Sequence, residues 1–125
     1  MTKQTNNNPG YLFTLTAFDD DSDRVATPLV LANSALANGK DVLLWLTMEG
    51  VELAKIGSAN TLTPKSFAPV QDLLDSFINA GGRIGICPPC GKTHGITDDN
   101  KLENTEWMGA VAMLEESSGR QVFSF

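Results

Sequence analysis

The fold of this chain is decided by the segment VLLWL at residues 42–46. Its continuous apolar run has the length of a strand that is buried on both faces. A similar run covers residues 11–18, and between the two, from about Asp23 to Asn38, apolar residues recur at helical spacing. This order of strand, helix and strand predicts a parallel sheet with a crossover helix.

Downstream of this unit, the same patterns predict three further strands, at residues 83–87, 104–107 and 121–125. Helices are predicted at residues 48–56, from a cap at Ser66 to Gly81-Gly82, and around residues 111–114. The Gly- and Pro-punctuated stretch from Cys87 to about Asn100 is predicted to be a loop. Five strands that alternate with helices predict an α/β fold, a three-layer α/β/α open sheet that is mostly parallel.

The length and composition predict a single domain. A chain of 125 residues with 42% hydrophobic content closes one core but is too short for two ordinary domains. We assign residues 11–125 to this domain and residues 1–10 to a flexible polar N-terminal tail.

Charge and hydropathy exclude several classes of partner. The net charge of -6 and the pI near 4.5 argue against nucleic acid, whose binding depends on clustered Lys and Arg. No apolar run reaches the roughly 18 residues that a membrane helix requires. The start of the chain is polar and Asn-rich, unlike a secretory signal, so we expect a cytoplasmic protein that binds neither membrane nor nucleic acid.

The chemistry is expected at Cys87-Pro88-Pro89-Cys90, which holds both cysteines of the chain. The predicted third strand delivers Cys87 to its carboxyl end, where open α/β sheets collect their reactive groups. If the strand order is 2-1-3-4-5, the acidic turn at residues 19–23 comes close to Cys87. Glu49, just past the second strand, is expected to face the same side.

A cysteine attacks only as thiolate, and nearby donors, cations or a second sulfur lower its pKa. Cys90 supplies the second sulfur, while Lys92 and His94 supply cationic or hydrogen-bonding support from the same loop. We therefore predict Cys87 and Cys90 as catalytic residues, with His94, Lys92 and Glu49 in support.

Three other interpretations of the cysteine pair stay open. A thioredoxin-like protein uses C-x-x-C for dithiol exchange, but there the pair heads a long helix early in the domain. A structural zinc site needs about four ligands, and Cys87, Cys90 and His94 supply three. Both cysteines could also simply pack near a strand end, since free cysteine is often buried. We predict no metal and no organic cofactor.

The chain resembles the DsrE/DsrF-like sulfur-relay family from Tyr11 to Phe125. The resemblance rests on the order and spacing of several segments rather than on any one of them. These are the first strand with its acidic turn, residues 37–42, residues 48–51, residues 80–84 leading into Cys87, Gly95-Ile96, and residues 122–125.

The resemblance implies a flavodoxin-like sheet of the DsrE/YchN type and assembly into homo-oligomers such as trimers or hexamers. It also implies a sulfurtransferase or sulfur carrier that accepts sulfane sulfur on Cys87 as a persulfide and exchanges it with donor and acceptor proteins. Cys90 is then a resolving or second acceptor thiol. The alternatives are a non-catalytic oligomeric module that binds a small ligand or a protein, and a C-x-x-C thiol-redox protein.

Overall fold

A computed structural model describes residues 10–18 and 21–125 of the chain. Its single sheet is parallel throughout, and the order across it is β4-β3-β2-β1-β5. The strands are β1 (Tyr11–Leu15), β2 (Val42–Leu46), β3 (Arg83–Ile86), β4 (Thr105–Trp107) and β5 (Gln121–Ser124). The predicted fold class, an open five-stranded α/β sheet, is confirmed.

The strand order 2-1-3-4-5 considered from the sequence is wrong. β2 lies between β1 and β3, and the order reverses between β1 and β5. The expected closeness of the acidic turn to Cys87 loses its basis, because that expectation required β1 and β3 to be neighbours. Asp19 and Asp20 of this turn lie outside the described residues.

Helices connect the strands in the described part of the chain. The α-helices are α1 (Ser22–Ala37), α2 (Val70–Asn79), α3 (Pro88–Thr93) and α4 (Ala110–Glu116), and 3₁₀ helices cover Met48–Ala54 and Ser58–Thr61. None of them is long and apolar enough to cross a lipid bilayer.

The first crossover helix, α1, begins and ends close to the predicted residues. The Asp21 carboxylate caps it by accepting the N–H of Asp23 at 3.0 Å. At the other end Asn38 is the C-cap, and Gly39 follows in the left-handed region at φ 80°. Pro28 lies in the second turn of the helix, and it is buried.

Ser66 does not cap α2, which is a correction to the sequence-based prediction. The helix begins at Val70 with Pro69 at its N-cap. The Ser66 N–H and hydroxyl instead donate to the two carboxylate oxygens of Asp23, at 3.2 and 3.0 Å, and the Lys65 N–H donates to the same group at 2.9 Å. These bonds, the Ser66 N–H foremost, hold the pKa of Asp23 below its ordinary value.

The segment after Cys87 is also not a loop, because residues 88–93 form the helix α3. Pro88 and Pro89 occupy its first turn, where a helix needs no backbone N–H from its residues, so the two prolines favour the helix start instead of preventing it. Cys90 therefore projects from a helix, and Cys87 is the residue that caps it.

The core divides over the two faces of the sheet. We name them the α1/α2 face and the α4 face after the helices that cover them. The larger core cluster combines strand residues such as Leu44 and Ile84 with α1 and α2, and the smaller one consists of Leu12, Leu43 and Met108. Helices on both faces give the three layers that the sequence predicts.

The predicted tail, residues 1–10, lies outside the described residues except for Gly10. Gly10 is buried, and its carbonyl accepts the N–H of Gln121 at 3.1 Å. The ordered domain therefore includes this residue.

Candidate active site

The cysteine pair lies where the carboxyl ends of β2 and β3 meet. Cys87 directly follows β3, and its N–H donates to the carbonyl of Leu46 at the end of β2, at 2.9 Å. This bond extends the pairing of the two strands by one residue. It brings Thr47 and Met48, which follow β2, beside the start of α3.

Cys90 makes a side-chain hydrogen bond with Thr47 at this site. Its sulfur lies 3.5 Å from the Thr47 hydroxyl oxygen. That hydroxyl is the main cause that holds the pKa of the Cys90 thiol below its ordinary value, and the Met48 N–H and the Cys87 thiol act in the same direction against partial burial. Cys90 is thus the thiol for which the surroundings favour the thiolate.

Met48 adopts an unusual backbone conformation at this point. Its φ of 53° lies in the left-handed region, and it is the only residue other than glycine to do so among those described. Such a conformation costs of order 1 kcal/mol or more and persists where the surrounding structure maintains it. Here it belongs to a residue whose N–H is among the groups that lower the pKa of Cys90.

Two glycines permit the close packing around the site. A Cβ at Gly50 would lie 2.1 Å from the Leu15 carbonyl oxygen, so only glycine lets the 3₁₀ helix after β2 approach the end of β1. A Cβ at Gly91 would lie 2.7 Å from the Trp107 ring, which packs against α3 at this place. Both glycines are buried.

His94 pairs with an acidic residue that was not predicted from the sequence. Its Nδ1 lies 2.9 Å from a carboxylate oxygen of Glu52, which belongs to the 3₁₀ helix Met48–Ala54. The histidine also ends α3, where its backbone N–H donates to the Cys90 carbonyl at 3.0 Å. The two side chains are about equally shielded, at 25% and 26% exposed.

A small open cleft connects these groups. It has a volume of about 250 Å³, and its walls are formed by Met48, Pro89, Cys90, Thr93 and His94. Clefts of about 430 and 470 Å³ occur elsewhere, beside Arg120 and beside Asp23, and neither is lined by a cysteine or histidine. Of these three clefts, only the small one offers both a thiol and an imidazole for chemistry on sulfur.

The remaining predicted site residues lie apart from this cleft. Lys92 and Glu49 are exposed, and neither lines the cleft or forms an ion pair within the described residues. In the same part of the chain no three His, Cys, Asp or Glu side chains are grouped so that they could hold a metal ion. The structure thus brings Cys90 and His94 together at the cleft, whereas Cys87, at the N-cap of the same helix, does not line it.

Thr47, Met48 and Glu52 are the site residues that sequence reasoning missed. Their side chains or N–H groups reach the site only because β2 is the neighbour of β3. Thr47 is the one of these residues that its position could have predicted. The first residue after a buried strand opens onto the same sheet edge as Cys87. No local pattern distinguishes Glu52 from Glu49.

Comparisons with known proteins agree with this architecture. The sequence matches the DsrE/DsrF-like family over residues 10–121. It is 31% identical over 84 residues to an uncharacterized protein of Methanopyrus kandleri, a match that covers 67% of this chain and 66% of that protein. An uncharacterized protein of Methanocaldococcus jannaschii is 26% identical over 104 residues, covering 81% and 88%.

A longer protein of Methanocaldococcus jannaschii is also uncharacterized, and 34% of its length matches this chain at 24% identity. The chain therefore spans just under two-thirds of one archaeal relative and about one-third of another. What these relatives do as whole proteins is not transferred to it.

Solved structures share the fold at low sequence identity. The YchN protein of Escherichia coli superposes with a TM-score of 0.77 at 17% identity, covering 93% of this chain and 98% of YchN. A protein of unknown function from Methanobacterium thermoautotrophicum gives 0.67 at 15% identity, covering 92% of this chain and 97% of that protein. With the family match over nearly the whole chain, these findings lead to one conclusion: the chain belongs to the DsrE/DsrF-like family.

Proposed function

We propose that this protein carries sulfane sulfur as a persulfide at the Cys87/Cys90 pair and passes it to a partner protein. The observation that carries the proposal is the Thr47 hydroxyl, whose oxygen lies 3.5 Å from the Cys90 sulfur. A thiol in such surroundings ionises more readily, and the thiolate is the form that attacks sulfur. Membership of the DsrE/DsrF-like family supports the same chemistry.

The transfer needs no external oxidant. The Cys90 thiolate attacks the outer sulfur of a donor persulfide, so that a new S–S bond forms on Cys90 while the S–S bond of the donor breaks. The electron pair of the broken bond leaves with the inner sulfur of the donor as a thiolate. Cys90 is oxidised to a persulfide, the donor is reduced to a thiol, and an acceptor thiolate then takes the sulfur by the same exchange.

The two cysteines have different roles in this proposal. The sequence predicts Cys87 as the sulfur acceptor, because it follows the end of a strand. That prediction and the assignment of the acceptor role to Cys90 are alternatives, which mass spectrometry of the two serine variants distinguishes. The nearby Thr47 hydroxyl and the lowered pKa of Cys90 favour it as the attacking thiol, with Cys87 as the thiol that can release the sulfur. We expect this chemistry in a reducing compartment such as the cytoplasm.

Intact-mass spectrometry after incubation with inorganic polysulfide tests the proposal. We expect the wild-type protein and Cys87→Ser to gain mass in steps of one sulfur atom, and Cys90→Ser to gain none. The opposite pattern in the two variants would return the acceptor role to Cys87. A wild-type protein that gains no sulfur on either cysteine would show that the proposed function is wrong.

A Thr47→Val variant tests the cause of the reactivity. Because the Thr47 hydroxyl lowers the pKa of Cys90, its removal shifts the ionisation of this thiol to higher pH. We expect slower alkylation of Cys90 by iodoacetamide at neutral pH, with the rate recovering as the pH rises. Thr63→Val, at an exposed position, serves as the matched control and leaves the pH profile unchanged.

A thiol-redox function is the second candidate, because Cys87 and Cys90 lie three residues apart at the start of α3 and the Cys87 thiol helps to lower the pKa of Cys90. It requires a Cys87–Cys90 disulfide that forms and breaks reversibly at a physiological potential. Titration of the free thiols across defined glutathione buffers separates the two functions. A pair that stays reduced in every buffer leaves sulfur carriage as the remaining thiol chemistry.

We further propose that the chain forms a homo-oligomer, such as a trimer or hexamer, through the α4 face. Val111 and Leu114 on α4 are 73% and 63% exposed, and Val122 on β5 is 49% exposed. Exposed apolar residues that cluster on one face are typical of a protein interface. The donor and acceptor proteins would then have access to the cleft at the carboxyl edge of the sheet.

A further inference from the structure

The contact between His94 and Glu52 lies beside the proposed reacting thiol, and the sulfur-transfer step proposed above does not use it. Nδ1 of the imidazole lies 2.9 Å from the Glu52 carboxylate. A carboxylate accepts hydrogen bonds, so this contact holds the neutral ring as the tautomer that carries its proton on Nδ1. Nε2 then keeps a lone pair, and within the described residues it makes no hydrogen bond.

His94 and Cys90 belong together by position. They are four residues apart at the end of α3, where the His94 N–H donates to the Cys90 carbonyl, and both line the cleft of about 250 Å³. Residues four apart on a helix lie on the same face. The imidazole and the thiol therefore open onto the same space.

Among the residues that the structure describes, no other charged group pairs with the imidazole. Glu49, Lys55, Cys87 and Lys92 are the other titratable residues on or next to the two segments that meet here. None of them forms an ion pair or a side-chain hydrogen bond with His94 within the described residues. The orientation of the ring is thus set by Glu52.

We propose that Glu52 is a positioning residue that holds His94 with Nε2 available for proton exchange at the Cys90 cleft. This inference rests on the proposed function, which supplies the reaction, the transfer of sulfane sulfur to Cys90. Nε2 accepts the proton of the Cys90 thiol, and the resulting thiolate attacks the outer sulfur of the donor persulfide. The imidazolium, stabilised by the Glu52 carboxylate, then returns this proton to the thiolate that leaves the donor, so protons and electrons balance.

The single histidine of the chain makes the first test direct, because one imidazole gives one set of NMR signals. We expect the ¹⁵N shifts of the neutral ring in the wild-type protein to show the Nδ1–H tautomer. In Glu52→Gln, whose amide can donate as well as accept, we expect a mixture of tautomers. Glu52→Asp keeps the carboxylate and should retain part of the Nδ1–H form.

The second test measures the thiol itself and does not depend on sulfur transfer. In a Cys87→Ser background, which leaves Cys90 as the only thiol, we expect Glu52→Gln and His94→Asn each to slow alkylation by iodoacetamide at neutral pH about tenfold. Glu103→Gln removes the same charge at an exposed position and is the control. Thermal unfolding of each variant confirms that it is folded.

The outcomes separate this proposal from the proposed function. An unchanged tautomer in Glu52→Gln, or an alkylation rate that is unchanged or faster, would overturn the positioning role of Glu52. If both tests give the expected result but the wild-type protein accepts no sulfur from polysulfide, the positioning role stands and sulfur carriage is wrong.

Discussion

The two faces of the sheet are attached to their helices by different forces. On the α1/α2 face every inward residue of the three central strands except Tyr11 is buried, at most 2% exposed: Phe13, Leu15, Val42, Leu44, Leu46, Ile84 and Ile86. On the α4 face the buried cluster is Leu12, Leu43 and Met108, and none of the residues of α4 is itself buried. Apolar burial, which supplies most of the favourable free energy of folding, therefore belongs mainly to the first face.

Charged side chains hold α4 and β5 to the rest of the domain, where few apolar residues are buried. Arg83 on β3 donates to Glu116 at the end of α4, at 3.0 Å. Arg120, just before β5, has a side chain only 6% exposed and donates to the Asp41 carboxylate at 2.7 Å and to the Glu116 carbonyl at 2.7 Å. Hydrogen-bonded charges at the amino edge can thus hold a helix in place while its apolar side chains face outward.

The largest effect is expected from Leu44→Ala on the α1/α2 face, compared with its neighbour Leu43→Ala on the α4 face. Both leucines are 0% exposed, so the two changes remove the same buried apolar group. We expect a loss of about 3–4 kcal/mol for Leu44 and about 2–3 kcal/mol for Leu43, because the thinner face can collapse around the cavity. Urea unfolding measures both, and equal losses would show that the two faces are equally well packed.

Arg120→Ala should cost about 2–3 kcal/mol in the free energy of unfolding. The change leaves the Tyr11 and Asp41 carbonyls and the Asp41 and Glu116 carboxylates without this donor. Asp41→Asn is the matched test of the exposed partner, since the Asp41 side chain is 56% exposed, and it should cost less than about 1 kcal/mol. Urea unfolding that ranks the two variants in the opposite order would contradict the role given to the buried arginine.

The charged attachment should also depend on pH. Arg83 holds the pKa of Glu116 below its ordinary value, chiefly through its hydrogen bond, so the folded state binds this proton less readily than the unfolded state. The resulting stability is present above the ordinary glutamate pKa of about 4.3 and is lost as the pH falls through the lower folded value.

Urea unfolding of Glu116→Gln at neutral and acidic pH checks this dependence. The variant should lose less stability than the wild-type protein on acidification. The stability of the variant should still fall somewhat on acidification, because Asp23 in the first turn of α1 also has a lowered pKa. Equal acid sensitivity in the two proteins would exclude Glu116 as a contributor.

The smallest effect on stability is expected from Leu114→Ser on α4. Because the side chain is 63% exposed, the free energy of unfolding of a single chain should change by less than about 0.5 kcal/mol. The proposed oligomer should nevertheless dissociate, as measured by light scattering after gel filtration. Leu31→Ser on α1, 44% exposed on the other side of the sheet, is the control and should leave the assembly intact.

Local patterns predicted most of the elements and failed at specific residues. The buried runs at β1 and β2 and the end of the helical pattern near Asn38 depend only on neighbouring residues, and the structure confirms them. The prediction of a loop after Cys87 is wrong. The segment forms a helix, and its six residues are too few to show a helical periodicity in the sequence. Glycines and prolines favour a loop prediction there, although the two prolines occupy the first turn of a helix, where proline is favourable.

The sequence by itself determined the α/β class, the strand that leads into Cys87 and the placement of both thiols at the carboxyl edge of the sheet. Only the tertiary structure decided the order β4-β3-β2-β1-β5, and with it the partners of those thiols. Thr47 meets Cys90 across 43 residues of sequence, and Glu52 meets His94 across 42. Such contacts depend on which strands become neighbours, and burial over the whole sheet settles that choice, which no local segment encodes.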